Sequence, residues 1–279
     1  MPETGHETAA QPPLVMGYRH RLPVRITHWL NLVILAVMLG SGLQIFNAHP
    51  SLYWGDRSEP GQAWLSIEAR RTEGGSLRGV TRLAGYEVET TGVLGVSAGR
   101  DGAEARGFPA WATIPGPRWL AMGRRWHLFF AWLLVLNGLV YVTYSLLSRH
   151  LTRDLLPSLP ELKGLGRSLR EHLSPRRLRA QSTRGYNPLQ KLAYLVVVFV
   201  LGPLVLLSGL TMSPWLDSVF PVLLDLFGGR QSARSIHFVA AFAFVGFLLL
   251  HLAMVLLVGP VNHVRAMLTG RLQIRRSSQ

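Results

Sequence analysis

Four stretches of this chain are apolar over a length that ordinary soluble helices do not need: about 24–46, 119–147, 189–212 and 236–258. Crossing the ~30 Å hydrocarbon layer of a bilayer takes roughly 20 apolar residues in helical form. In lipid no water satisfies the backbone, so a spanning segment is a helix or part of a closed barrel. None of the four runs alternates in polarity as a barrel strand does, so each is predicted to be a helix. The fold class expected is all-α, an integral membrane four-helix bundle of one domain over residues 1–279. A long extracytoplasmic loop, 47–118, joins the first two helices, and a cytoplasmic loop, 148–188, joins the second to the third. A mean hydropathy of +0.23 agrees with spans separated by sizeable polar loops. The first dozen residues are polar and no small-residue cleavage site follows the first apolar run, so no cleavable signal peptide is expected.

The net charge of +14 raises nucleic acid as a partner, but the basic residues flank apolar runs and form no basic domain, which points to a membrane. Their distribution also sets the expected orientation, because Lys and Arg collect on the cytoplasmic side. From Arg149 to Lys191 there are ten basic and three acidic residues, and the C-terminal tail carries Arg265, Arg271, Arg275 and Arg276. From Asn47 to Arg118 eight arginines meet eight acids. Both termini and the middle loop are therefore expected in the cytoplasm. The basic stretch 170–184 suits an anionic inner leaflet, with a solvated face as the competing reading. In the outer loop, "GYEVETTGVLGVSAGRDG" has strand-like alternation and could form a hairpin. "FPAWATIPG" reads as a Trp-anchored interfacial segment. No convincing repeat of 20–50 residues is evident.

The chain has no cysteine, which excludes disulfides, thiolate metal sites, iron–sulfur clusters and covalent c-type haem. Histidines are another matter. The run "SIHFVAAFAFVGFLLLHLAMVLL" holds His237 and His251, and ionisable groups at membrane depth are functional candidates by default. Fourteen helical residues rise about 21 Å and bring the second side chain within about 40° of the first. One helix thus offers an imidazole to each of two sites at different depths. By depth, His28 in the first span pairs with His251 near the inner face, and His127 in the second pairs with His237 near the outer face. Three of these histidines follow an arginine by three residues: Arg25, Arg124 and Arg234, with Arg125 able to replace Arg124. Residues so spaced share a helix face, which sets a guanidinium one turn nearer the water. Axial imidazoles in lipid with cations at the interface suit haem and its propionates, whereas zinc rarely makes do with two histidines. Two non-covalent b-type haems are the expectation, with packing or hydrogen bonding as the competing role of each single histidine.

Fainter signals surround these residues. Phe244 lies midway between His237 and His251, where packing is the plainer reading. Gly42 and Gly138 could admit a macrocycle or serve ordinary helix packing. His49 could shuttle protons or contact quinone, although a loop residue is the plainer reading. Span three has no histidine and is expected to be structural.

At "RITHWLN", "GRRWHLFFAWLLVLNGL" and "RSIHF…LLLHLAMV" the chain resembles the membrane cytochrome b subunits of the bacterial cytochrome b561 group. These include subunits of nickel–iron hydrogenase, formate dehydrogenase and thiosulfate reductase, and the thiosulfate reductase type is the most similar in these motifs. The resemblance implies electron transport in the respiratory chain of the bacterial inner membrane, through two bis-histidine haems, with quinone or quinol as mobile partner. It also implies a soluble partner, a periplasmic molybdopterin oxidoreductase; the long 47–118 loop departs from short-loop relatives at the docking side. Two other readings compete: a stand-alone quinone-linked oxidoreductase acting on a small molecule such as superoxide, and a haem-free proton-coupled transporter.

The charge bias makes a direct prediction. A topology reporter fused within Glu161–Arg184 should report the cytoplasm, and one fused near Gly75 the outside. The reverse pattern would overturn the inner and outer labels and leave the ligand pairs intact.

Overall fold

The computed structural model of the chain describes residues 14–99, 102–166, 168 and 187–275. The basic stretch 170–184, His6 and His172 lie outside the described residues. Two compact units divide the chain, one of 1–26, 144–193 and 249–279 and the other of 27–143 and 194–248.

Among the described residues, four helices are long and apolar enough to cross a membrane. They are α1 (Leu22–Phe46), α2 (Leu120–Leu147), a helix over Pro188–Leu210 and a helix over Arg230–Val258. The third consists of α4 (Pro188–Val196), a wider π turn at Val197–Leu201 and α5 (Gly202–Leu210). The short α3 (Leu159–Lys163) precedes it, and α6 (Pro214–Val219) and α7 (Val222–Phe227) lead to α8 (Arg230–Val258). Twenty-five or more residues of α-helix make α1, α2 and α8 long enough for a ~30 Å layer. Large apolar side chains stand exposed on these helices, Trp132 at 74% among them, as lipid-facing surface requires.

The expectation of an all-α fold fails in the 47–118 segment, which is a β module. Strands β2 (Ser51–Leu52), β3 (Leu65–Arg71), β4 (Leu77–Leu83) and β5 (Tyr86–Glu89) form an antiparallel meander in that order. A separate hairpin joins β6 (Gly95–Gly99) to β7 (Gly102–Arg106). The expected hairpin within 85–102 is thus two: β5 pairs back to β4, and β6 pairs forward to β7. The two-residue turn between β4 and β5 carries positive φ at both Ala84 (49°) and Gly85 (90°), the twist that a tight hairpin needs. Residues 110–112 of the expected interfacial segment form one 3₁₀ turn, with Trp111 on the surface.

The module is built onto the ends of α1 and α8. Its core of Leu52, Leu65 and Ile67 includes Phe46 of α1 and is packed by Phe238 of α8. The Gly55 carbonyl accepts from the Gln231 and Ser232 amides at 2.9 and 3.1 Å, so it caps the opening turn of α8, whose first amides have no partner within the helix. Ser235 donates to the Tyr53 carbonyl at 2.6 Å and accepts from the Trp64 indole at 3.0 Å. At the end of α1, Asn47 exchanges two bonds with the Phe108 backbone, at 2.6 and 3.1 Å. Arg106 is the keystone of this corner. Although buried, it donates to the Phe108 and Gly116 carbonyls, Gln44 Oε1 and Thr113 Oγ1, with Glu104 3.5 Å away.

In the other unit, β1 (Leu14–Tyr18) pairs antiparallel with β8 (Arg271–Arg275), which follows α9 (Pro260–Thr269). Arg25 donates to the Met267 and Leu268 carbonyls and so satisfies the C-terminal end of α9.

Replacing Arg106 with Met should strip four acceptors, two of them in buried bonds, of their donor and cost on the order of 3 kcal/mol. Limited proteolysis in detergent should then cut residues 47–118 much faster than in the wild type. Unchanged resistance would contradict the keystone role.

Candidate functional site

His127 is the eighth residue of α2 and His237 the eighth of α8. The fold brings them together: their ring centres are 6.1 Å apart, with planes at 65°. Two metal–imidazole bonds of about 2.0 Å, plus about 1.1 Å from each nitrogen to its ring centre, would set axial ligands of one iron roughly 6.2 Å apart. The observed separation fits that arrangement.

Each ring is also oriented from behind. Ser41 Oγ, on α1, lies 3.1 Å from His127 Nδ1. Ser208 Oγ and the Val205 carbonyl, in the third span, lie 3.3 and 2.9 Å from His237 Nδ1. A carbonyl only accepts, so His237 Nδ1 is the donor and Nε2 is left with a lone pair for a metal. Among the described residues no three His, Asp or Glu side chains gather as a bare metal ion would require. A pair of imidazoles suits an iron that brings its other ligands in a macrocycle.

Gly42 meets His127, because a Cβ there would stand 3.3 Å from the ring's Cε1. It therefore makes room for the imidazole itself. Nothing comes within 4 Å of a Cβ at Gly138. His28 and His251 fall in different compact units. His28 lies edge-on to Trp29, at 5.3 Å. One residue away, the Thr27 carbonyl accepts from Asn137 of α2, which also donates to Asn31, at 2.9 and 2.7 Å. Phe244 is half-buried. Of the arginines, Arg234 donates to the Ser51 and His49 carbonyls and lies over the Phe46 ring, Arg25 caps α9, and Arg124 is exposed. The His49 ring stacks on Tyr53 at 5.8 Å.

The model of the family described as prokaryotic cytochrome b561 matches residues 19–270, nearly the whole chain. The chain belongs to the prokaryotic cytochrome b561 family. Over 151 residues it is also 34% identical to a putative protein-methionine-sulfoxide reductase subunit, YedZ1, of Azospira oryzae. That alignment covers 54% of this chain and 72% of the relative. No solved structure matches it. As a prokaryotic cytochrome b561, the chain is a multi-pass membrane protein of electron transport that binds b-type haem.

Sequence reasoning missed Ser41, Val205, Ser208, Gly209 and Asn137. A search for ionisable groups at membrane depth passes over hydroxyls and carbonyls, and span three therefore looked structural. The available signal was a buried polar side chain in each apolar run, since such groups need partners.

His127→Ala or His237→Ala should each lower the haem content by one per chain, as measured by the pyridine haemochrome. Full haem content in both variants would remove this pair from the ligand set.

Proposed function

We propose that the chain is a dihaem membrane cytochrome b that passes electrons from quinol to a soluble oxidoreductase outside the inner membrane, with both termini in the cytoplasm. The observation that carries this reading is the His127–His237 pair at 6.1 Å, with the His237 Nδ1 proton committed to Val205. Residues 1–279 act as one cytochrome domain. His127 and His237 hold the outer iron, while His28 and His251 hold the inner one.

A b-type haem at each site supplies a one-electron carrier. The chain's own part is to hold the axial imidazoles neutral, exclude water and place cations beside propionates. Arg25, Arg124 and Arg234 serve that last task. Each guanidinium has five N–H donors, and Arg25 and Arg234 each spend two of them on the carbonyls given above. Quinol oxidation releases two electrons and two protons; the haems, when bound, would carry the electrons one at a time, and the protons leave to water.

The partner proposed is a periplasmic molybdopterin enzyme. The relative's name, a subunit of a protein-methionine-sulfoxide reductase, favours a reductive direction. Two electrons and two protons then convert a sulfoxide to a thioether and water. The β module supports docking because it is a folded surface rather than a slack loop, with Tyr86 and Trp111 exposed at 80% and 85%.

Purification in mild detergent tests this function. The expected preparation is red, its haem is reduced by a quinol analogue, and it carries a molybdenum protein that lets methionine sulfoxide reoxidise the haem. A folded, colourless chain would contradict the cytochrome reading. Turnover of superoxide by the isolated chain, with no molybdenum protein bound, would contradict the partner.

A further inference from the structure

The outer site is built twice from the same short pattern. Residues 39–43 read LGSGL on α1, and residues 206–210 read LLSGL in the third span. Each Leu-x-Ser-Gly-Leu helix faces the histidine of an Arg-x-x-His helix: Ser41 and Gly42 face His127, and Ser208 and Gly209 face His237. We propose that these Ser–Gly pairs are positioning residues that fix the tautomer and the plane of both axial imidazoles, and through them the electronic state of the outer haem. This rests on His127 and His237 being the axial ligands.

The hydroxyl protons decide the first half. Ser41 Oγ donates to the Val37 carbonyl and Ser208 Oγ to the Leu204 carbonyl, each at 2.6 Å. With its proton spent within its own helix, each hydroxyl can offer the imidazole only a lone pair, so each Nδ1 is the donor. On the His237 side a backbone carbonyl three residues before the serine, that of Val205, accepts from the same Nδ1. Donation from Nδ1 gives a metal-bound imidazole partial imidazolate character and raises its basicity. That stabilises the ferric state.

The glycines decide the second half. A Cβ at Gly42 would stand 3.3 Å from His127 Cε1, and one at Gly209 would stand 3.1 Å from His237 Cε1. Each ring is therefore held by acceptors at Nδ1 and by helix backbone at Cε1. Turning about its Cβ–Cγ bond would break the first contact or press on the second. The two rings are fixed in this way at 65°. Parallel imidazole planes split the iron dxz and dyz orbitals and give a rhombic low-spin ferric EPR spectrum. Planes far from parallel leave these orbitals nearly degenerate and give one feature at large g. The geometry places the outer haem in the second class.

The test uses the purified holoprotein, with EPR of the oxidised form and a redox titration. The outer-haem signal is identified as the one lost in His127→Ala, and it should be of the large-g type. Ser41→Ala should keep its haem, move this signal toward the rhombic type and raise the midpoint potential. Ser41→Thr, which keeps the hydroxyl, should restore both. Ser208→Ala should shift them less, because the Val205 carbonyl remains. Gly209→Ala keeps both hydroxyls and presses on the His237 ring; it should move the signal too, and it carries the test if Ser41→Ala fails to fold. An unchanged spectrum and potential in Ser41→Ala and Gly209→Ala would overturn the proposal while leaving the ligands in place. Full haem in His127→Ala would instead overturn the ligand assignment itself.

Discussion

The hydrogen bonds behind His127 and His237 are the interaction on which the described site depends. An imidazole in an apolar helix has two nitrogens to satisfy, and each unsatisfied polar atom in such surroundings is costly. Here Nδ1 meets a serine on a neighbouring helix, and for His237 also the Val205 carbonyl. With Nδ1 satisfied, Nε2 keeps its lone pair. The same bonds hold α2 to α1 and α8 to the third span, so the groups that orient the two imidazoles also join the helices. The span without a histidine is consequently part of the site.

The β module follows from the same placement. His237 lies close to the start of α8, where the opening turn of a helix has amides without partners. Gly55 caps those amides, Ser235 ties Tyr53 and Trp64, and Phe238 enters the module's core. At α1, Gln44 and Asn47 bind Arg106 and Phe108 within two turns of Ser41. The module is thus fastened to both helices that shape the histidine pair.

Much of this was legible in the sequence, for stated physical reasons. Length and apolarity fix the spans, since few other structures use 20 apolar residues in a row. The His127–His237 pair follows from depth alone. The start of α8 at Arg230 rather than 236 was not legible, because the cap comes from Gly55, far away in the chain. The module's strands were hidden by their shortness and by turns such as Ala84-Gly85 that carry no apolar pattern. The doubled Leu-x-Ser-Gly-Leu pattern escaped a search for fixed periods because 85 residues separate Gly42 from His127, whereas 28 separate Gly209 from His237. Only when the helices are packed do the two halves look alike.

The most direct measurement is the location of iron in the purified protein by anomalous scattering at the iron edge. The account predicts one iron between Nε2 of His127 and Nε2 of His237, with Ser41 and Ser208 on the far nitrogens, and a second near His28 and His251. Iron bound elsewhere, or a folded chain without iron, would contradict it.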